Sequence, residues 1–165
     1  MSNPPRLPFD TTLEVRDTCL CLHVQRAARA VARRFDEALR PLGLTNGQFS
    51  LLMALNRPEP PTMGSVAGLL AMDRTTLTAA LKPLERRGLL HIAPDPEDRR
   101  SRRISLTEAG HRLLIEAAPV WRAAHRELDL LPEVDLSSLK RQLAALTFPN
   151  ETGTAATPAP GGGRK

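Results

Sequence analysis

At 165 residues, with 41% hydrophobic and 25% charged residues, the chain has the balance of one globular domain rather than of a low-complexity polymer. Aromatic residues make up only 3% and tyrosine is missing, which argues against a protein that stacks unpaired bases; duplex DNA, read by hydrogen bonds and charge, makes no such demand. The formal net charge of +5 suits a polyanionic partner, and it is local: between Arg74 and Arg103 stand eight basic and four acidic residues.

In chain order, residues 1–10 are proline-rich without an apolar period and read as a flexible arm. They carry no charged stretch followed by an apolar run, and no segment approaches the roughly 20 apolar residues that span a bilayer, so a cytoplasmic protein with no membrane partner is expected. From about Thr11 to Gly43, Leu20, Val24, Ala27, Val31, Phe35, Ala38 and Leu42 recur at spacings of three and four. They predict one long helix whose narrow apolar seam pairs with another long helix. Cys19 and Cys21 are too few for a disulfide framework, and on that helix they point roughly 200° apart, which disfavours a bond between them.

Thr45 caps a second helix bearing Phe49, Leu51, Leu52 and Leu55, which Pro58, Pro60 and Pro61 end. Thr62 opens a short helix with Val66, Leu69 and Leu70; after the Met72-Asp73 junction another runs from Arg74 to Arg87 and stops at Gly88. Leu90 and Ile92, then Ile104 and Leu106, alternate with polar neighbours around a turn-rich stretch and predict a hairpin with an arginine-laden tip. Thr107 caps a long helix carrying Leu113, Leu114, Ala117, Val120, Trp121, Ala124 and Leu128, broken by Pro132. Asp135 caps a last helix with Leu136, Leu139, Leu143 and Leu146, and from Pro149 the composition predicts disorder.

Two short helices followed by a basic hairpin are the parts of a winged helix-turn-helix. The fold expected is mainly α with a small β-hairpin wing: an arm over 1–10, helical dimerisation segments over 11–44 and 108–148, a winged lobe over 45–107 and a tail over 149–165. A helix that enters the major groove needs small, hydrogen-bonding residues near its N-terminus, and Arg74, Thr75, Thr76 and Thr78 meet that need, with Lys82 further along. The hairpin tip carries Arg99, Arg100, Arg102 and Arg103, whose chemistry suits the narrow, negative minor groove. A solvated charge run and ordinary surface hydroxyls are the bland alternatives; the two features in sequence favour DNA.

Other classes fare worse. His23, His91, His111 and His125 stand singly, without metal-ligand spacing, and neither a phosphate-cradling glycine loop nor a nucleophile elbow is present, so no enzyme, metal or cofactor is expected. An architectural DNA binder without sequence preference is the nearer alternative. It needs basic charge over broad surfaces and apolar wedges, and competition by unrelated duplex DNA separates it from a sequence reader.

Several motifs then stand in one order: Leu42-Gly43-Leu44-Thr45 with Gln48-Phe49, Thr75-Thr76-Leu77-Thr78, Leu84-Glu85-Arg86-Arg87-Gly88-Leu89, Asp95-Pro96-Glu97-Asp98-Arg99-Arg100-Ser101, and Leu106-Thr107-Glu108-Ala109-Gly110. Over residues 19–147 the chain thereby resembles the MarR regulators. The resemblance implies a triangular homodimer held by the terminal helices, with two winged lobes on a pseudo-palindromic double-stranded operator, usually as a repressor. It matches Arg100 to the wing arginine of the minor groove and Asp98 to the acid that braces it. Ala79 departs from the polar or basic residue many relatives carry, and Pro83, inside the recognition helix, implies a kink costing roughly 3 kcal/mol.

Regulators of this family are commonly released by a small molecule or by cysteine oxidation. Cys21 falls where the organic-hydroperoxide-sensing branch has its reactive cysteine, and a helix N-terminus favours the thiolate that oxidises to sulfenic acid and then to a disulfide. That branch holds its cysteine with tyrosines, which this chain lacks; Cys19 and Cys21 as small apolar interface residues are the alternative. A ligand pocket is expected between the dimer helices and the winged lobe, with Gln25, Arg29, Met53 and Trp121 as lining residues.

Overall fold

The computed structural model describes residues 6–98 and 100–146, so Arg99, the first half of the N-terminal arm and the C-terminal tail lie outside the described residues. The elements are α1 (Phe9–Thr18), α2 (Leu20–Leu39), α3 (Asn46–Leu55), α4 (Met63–Leu69), α5 (Arg74–Arg86), β1 (Leu90–Pro94), β2 (Arg102–Leu106), α6 (Glu108–Asp129) and α7 (Leu136–Ala145). β1 and β2 form an antiparallel hairpin in the register Leu90 to Leu106. The fold is mainly α with a hairpin wing, as predicted.

Local chemistry sets most of these boundaries. Thr45 and Gln48 form a reciprocal capping box at α3, Thr62 accepts from the Ser65 N–H at α4, Thr107 from the Gly110 N–H at α6, and Asp135 from the Ser137 and Ser138 N–H groups at α7. A turn at Arg40–Leu42 ends at Gly43, whose φ of 65° lies in the left-handed region that suits glycine. α5 runs through Pro83 and α6 through Pro119, each giving up one helical N–H.

The single helix expected from Thr11 is two helices. α1 begins at Phe9 and ends at Thr18; Cys19 is extended (φ −71°, ψ 103°), and α2 starts at Leu20. The break carries neither glycine nor proline. The Thr18 hydroxyl donates to the Glu14 carbonyl (2.8 Å), and α1 buries no residue, so no packing holds it in line with α2. Because Cys19 lies in the break and Cys21 on α2, the separation of roughly 200° expected on one continuous helix does not hold for them.

The core sits in the central lobe. Leu39, Leu52, Val66, Leu77, Leu81, Leu84 and Ile104 are almost fully excluded from solvent, drawing α2, α3, α4, α5 and β2 around one centre. The chain between α3 and α4 joins the wing: the Ile104 N–H donates to the Pro61 carbonyl (3.0 Å) and Thr62 pairs with Arg103. α6 returns along α2, and Trp121 stacks between Phe35 of α2 and Phe49 of α3, with ring centroids 6.4 and 6.1 Å away. The outer faces remain apolar and open: Leu20, Val24 and Val31 on α2, and Leu139 and Leu143 on α7, are all exposed.

Candidate nucleic-acid interface

α5 meets solvent along its first two turns, while Leu77, Leu81 and Leu84 anchor its other side. Arg74, Thr75, Thr76, Thr78 and Lys82 are all exposed there. Asp73, which the sequence reading passed over as a junction residue, organises this end. Its carboxylate accepts from the Thr76 N–H (2.8 Å) and from the Thr76 hydroxyl (2.6 Å). Those bonds, the Thr76 hydroxyl first, hold the Asp73 carboxyl below its ordinary value. The Thr78 hydroxyl donates to the Arg74 carbonyl (2.7 Å).

The wing closes in steps. The Asp95 N–H donates to the Ser101 carbonyl (3.0 Å), and the Ser101 N–H to the Asp98 carbonyl (2.8 Å). The Asp98 carboxylate accepts from the backbone N–H of Arg100 (3.0 Å), an Asx turn that fixes where the Arg100 side chain leaves the tip. Arg100 and Arg102 are exposed, with no hydrogen bond or ion pair from their guanidinium groups to the described residues. Arg103 differs. Its Nε lies 2.9 Å from Asp95 Oδ2, and its Nη1 donates to the Pro60 carbonyl (3.2 Å). Of the predicted arginines, Arg74, Arg100 and Arg102 present free cationic ends, Arg103 is tied inward, and Arg99 lies outside the described residues.

The expected sensing residues separate into two groups. Met53 and Trp121 line an open cleft of about 400 Å³ with Phe49, Leu69, Leu70 and Arg122. It lies where the lobe meets α6, and its walls are chiefly apolar, as in small-molecule sites. Gln25 and Arg29 are not part of it. On the exposed face of α2, Arg29 donates to Gln25 Oε1 (3.2 Å) and the Gln25 amide donates to Cys21 Sγ (3.1 Å). Cys21 is exposed in the first turn of α2, and Cys19, half-buried, precedes that turn. Among the described residues no cluster of three potential ligands for a metal occurs, and no helix is long and apolar enough to cross a membrane.

The family model of the MarR family matches residues 44–101, from the residue before the α3 cap through the wing tip. Over 101 residues the chain is 33% identical to the organic hydroperoxide resistance transcriptional regulator of Bacillus subtilis, an alignment covering 61% of this chain and 69% of that protein. The chain belongs to the MarR family. It is similar in structure to the Mycobacterium tuberculosis regulator MosR in complex with DNA (TM-score 0.71, 38% identity, covering 78% of this chain and 92% of that one). It also resembles the MarR-fold regulator CouR of Rhodococcus jostii bound to p-coumaroyl-CoA (TM-score 0.67, 28% identity, covering 81% and 95%). The chain spans 65% and 62% of the length of the first curated relatives it matches, both transcriptional regulators, a little under two thirds.

Proposed function

We propose that the protein is a homodimeric regulator that binds a pseudo-palindromic double-stranded operator and represses transcription until an effector releases it. The observation that carries this reading is the exposure of Thr75, Thr76 and Thr78 on α5 together with that of Arg100 and Arg102 on the wing, whose guanidinium groups bond to none of the described residues. Hydroxyls on a helix suit base edges in the major groove, and arginines at a hairpin tip suit the adjacent minor groove. Similarity to a relative solved in complex with DNA supports it. The exposed apolar residues of α2 and α7 fit a second copy of the chain, because uncovered apolar surface marks an association site. Two copies related by a two-fold axis read two half-sites.

Two release routes have support. Cys21 is an exposed thiol in the first turn of α2 whose Sγ accepts a hydrogen bond from the Gln25 amide, so it stands open to an oxidant. The cleft beside Trp121 suits an apolar ligand, with Arg122 on hand for a negative group. The test is binding of the purified chain to duplex DNA from upstream of its own gene: reduced, after mild organic hydroperoxide, and after re-reduction by thiol. Tight binding that oxidation abolishes and thiol restores supports the cysteine route, and Cys21→Ser then keeps the DNA bound. Tight binding indifferent to oxidant leaves the cleft as the sensor. Equal affinity for unrelated duplex refutes the sequence-specific reading.

A further inference from the structure

Asp95 stands apart from the other charged residues. It is the buried polar residue of the described core, only 5% exposed, at the point where β1 leaves the hairpin. Its Oδ1 accepts from the Glu97 N–H (3.0 Å) and its Oδ2 meets Arg103 Nε at 2.9 Å. Glu97 adds a second, looser contact to the Arg103 Nη2 at 3.9 Å. The Glu97 N–H first, and the Arg103 guanidinium after it, hold the Asp95 carboxyl below its ordinary value although burial pushes it up.

The other end of Arg103 reaches across 43 positions of sequence to the Pro60 carbonyl. Beside it the Ile104 N–H is bonded to the Pro61 carbonyl, and Thr62, the cap of α4, pairs with Arg103. One guanidinium thus touches the start of the wing's tip loop and the loop that leads into the helix-turn-helix.

We propose that Arg103 is a positioning residue for DNA binding, acting with Asp95 as a latch that sets the wing against the helix-turn-helix; this rests on the DNA-binding reading above. A protein that grips two grooves at once binds well only if its two gripping elements already hold the right relative placement, since ordering them on binding subtracts from affinity. Sequence alone placed Arg103 with the arginines that touch DNA. Its guanidinium instead lies against Asp95 and Glu97 as an ion pair and donates to Pro60, its buried Nε touching Asp95 without a hydrogen bond, while Arg100 and Arg102 remain free for phosphate or groove.

Charge and latch predict opposite signs for one substitution. Asp95→Asn removes a negative charge near the DNA face, so charge alone would tighten binding. It keeps an oxygen for the Glu97 N–H and breaks only the ion pair, so the latch predicts weaker binding.

The experiment measures the affinity of the full chain for a specific duplex across a salt series, for wild type, Asp95→Asn, Arg103→Gln, the double variant and Arg103→Lys, with melting temperatures alongside. The expected result is that each single variant binds about tenfold more weakly at unchanged salt slope. The double variant is then no weaker than either single, Arg103→Lys recovers part of the affinity, and the Ile104 amide exchanges faster in Arg103→Gln. Tighter or equal binding by Asp95→Asn overturns the proposal. So does an Arg103→Gln slope smaller by about 0.9, the signature of a lost phosphate contact. A lower melting temperature with unchanged DNA affinity also overturns it, leaving a merely structural ion pair. If the wild type itself prefers no duplex, the DNA-binding reading fails before the latch is reached.

Discussion

Gly110 shows how narrow the tolerance is at single positions. A Cβ there would run into the carbonyl oxygen of Leu89, which already accepts from the Thr107 N–H where α6 meets β1. The obstacle is backbone that two elements hold in place, so Gly110→Ala should destabilise by more than about 2 kcal/mol in urea unfolding. Gly68, in α4, meets nothing within 4 Å, and Gly68→Ala should instead stabilise by roughly 0.5–1 kcal/mol through helix propensity. At the wing, Arg100→Ala should weaken duplex binding several-fold and lower the salt slope by about 0.9 while leaving the oligomeric state unchanged. Unchanged affinity would remove Arg100 from the interface. Replacing Thr76 should alter base preference more than salt slope, since base contacts specify and phosphate contacts position.

Among the elements, α5 depends on its cap. The Asp73 carboxyl is held below its ordinary value by its bonds to Thr76, so its contribution is complete above the unfolded-state value of about 3.9 and is lost as pH falls through the lower folded value. Acid unfolding followed by circular dichroism should therefore show Asp73→Asn losing part of the wild-type pH dependence only in that acid range. A difference that persisted unchanged from neutral pH into acid would show that charge is not what Asp73 supplies. The other caps, at Thr45, Thr62, Thr107 and Asp135, were legible in sequence because a cap is a bond across two or three residues. The break at Cys19 was not. It falls where α1, which buries no residue, meets α2, and that lack of burial leaves no mark in the periodicity. The inward contacts of Arg103 were hidden for the opposite reason: its partners Asp95 and Pro60 become neighbours only when the wing folds back on the α3–α4 loop. Met53 and Trp121 meet in the cleft because α3 and α6 carry them to the same opening, Met53 exposed and Trp121 half-buried, whereas Gln25 and Arg29 follow the exposed face of α2 toward Cys21.

Taken whole, the molecule divides its apolar surface in two. The central lobe buries its leucines within one copy, while Val24 and Val31 of α2 and Leu139 and Leu143 of α7 stay open. Covering that second surface with another copy predicts twice the chain mass in light scattering, and Val24→Glu or Leu139→Glu should shift the population toward monomer. Because one winged lobe contacts only a half-site, such variants should also lose operator affinity while keeping their helical circular dichroism. The most direct test of the account is a salt titration of the purified chain on duplex DNA from upstream of its own gene, with unrelated duplex as competitor. The account predicts tight binding that unrelated DNA displaces poorly, a steep fall in affinity with salt, and a shallower fall for Arg100→Ala. Equal displacement by both duplexes, or a salt slope that Arg100→Ala leaves untouched, would contradict it.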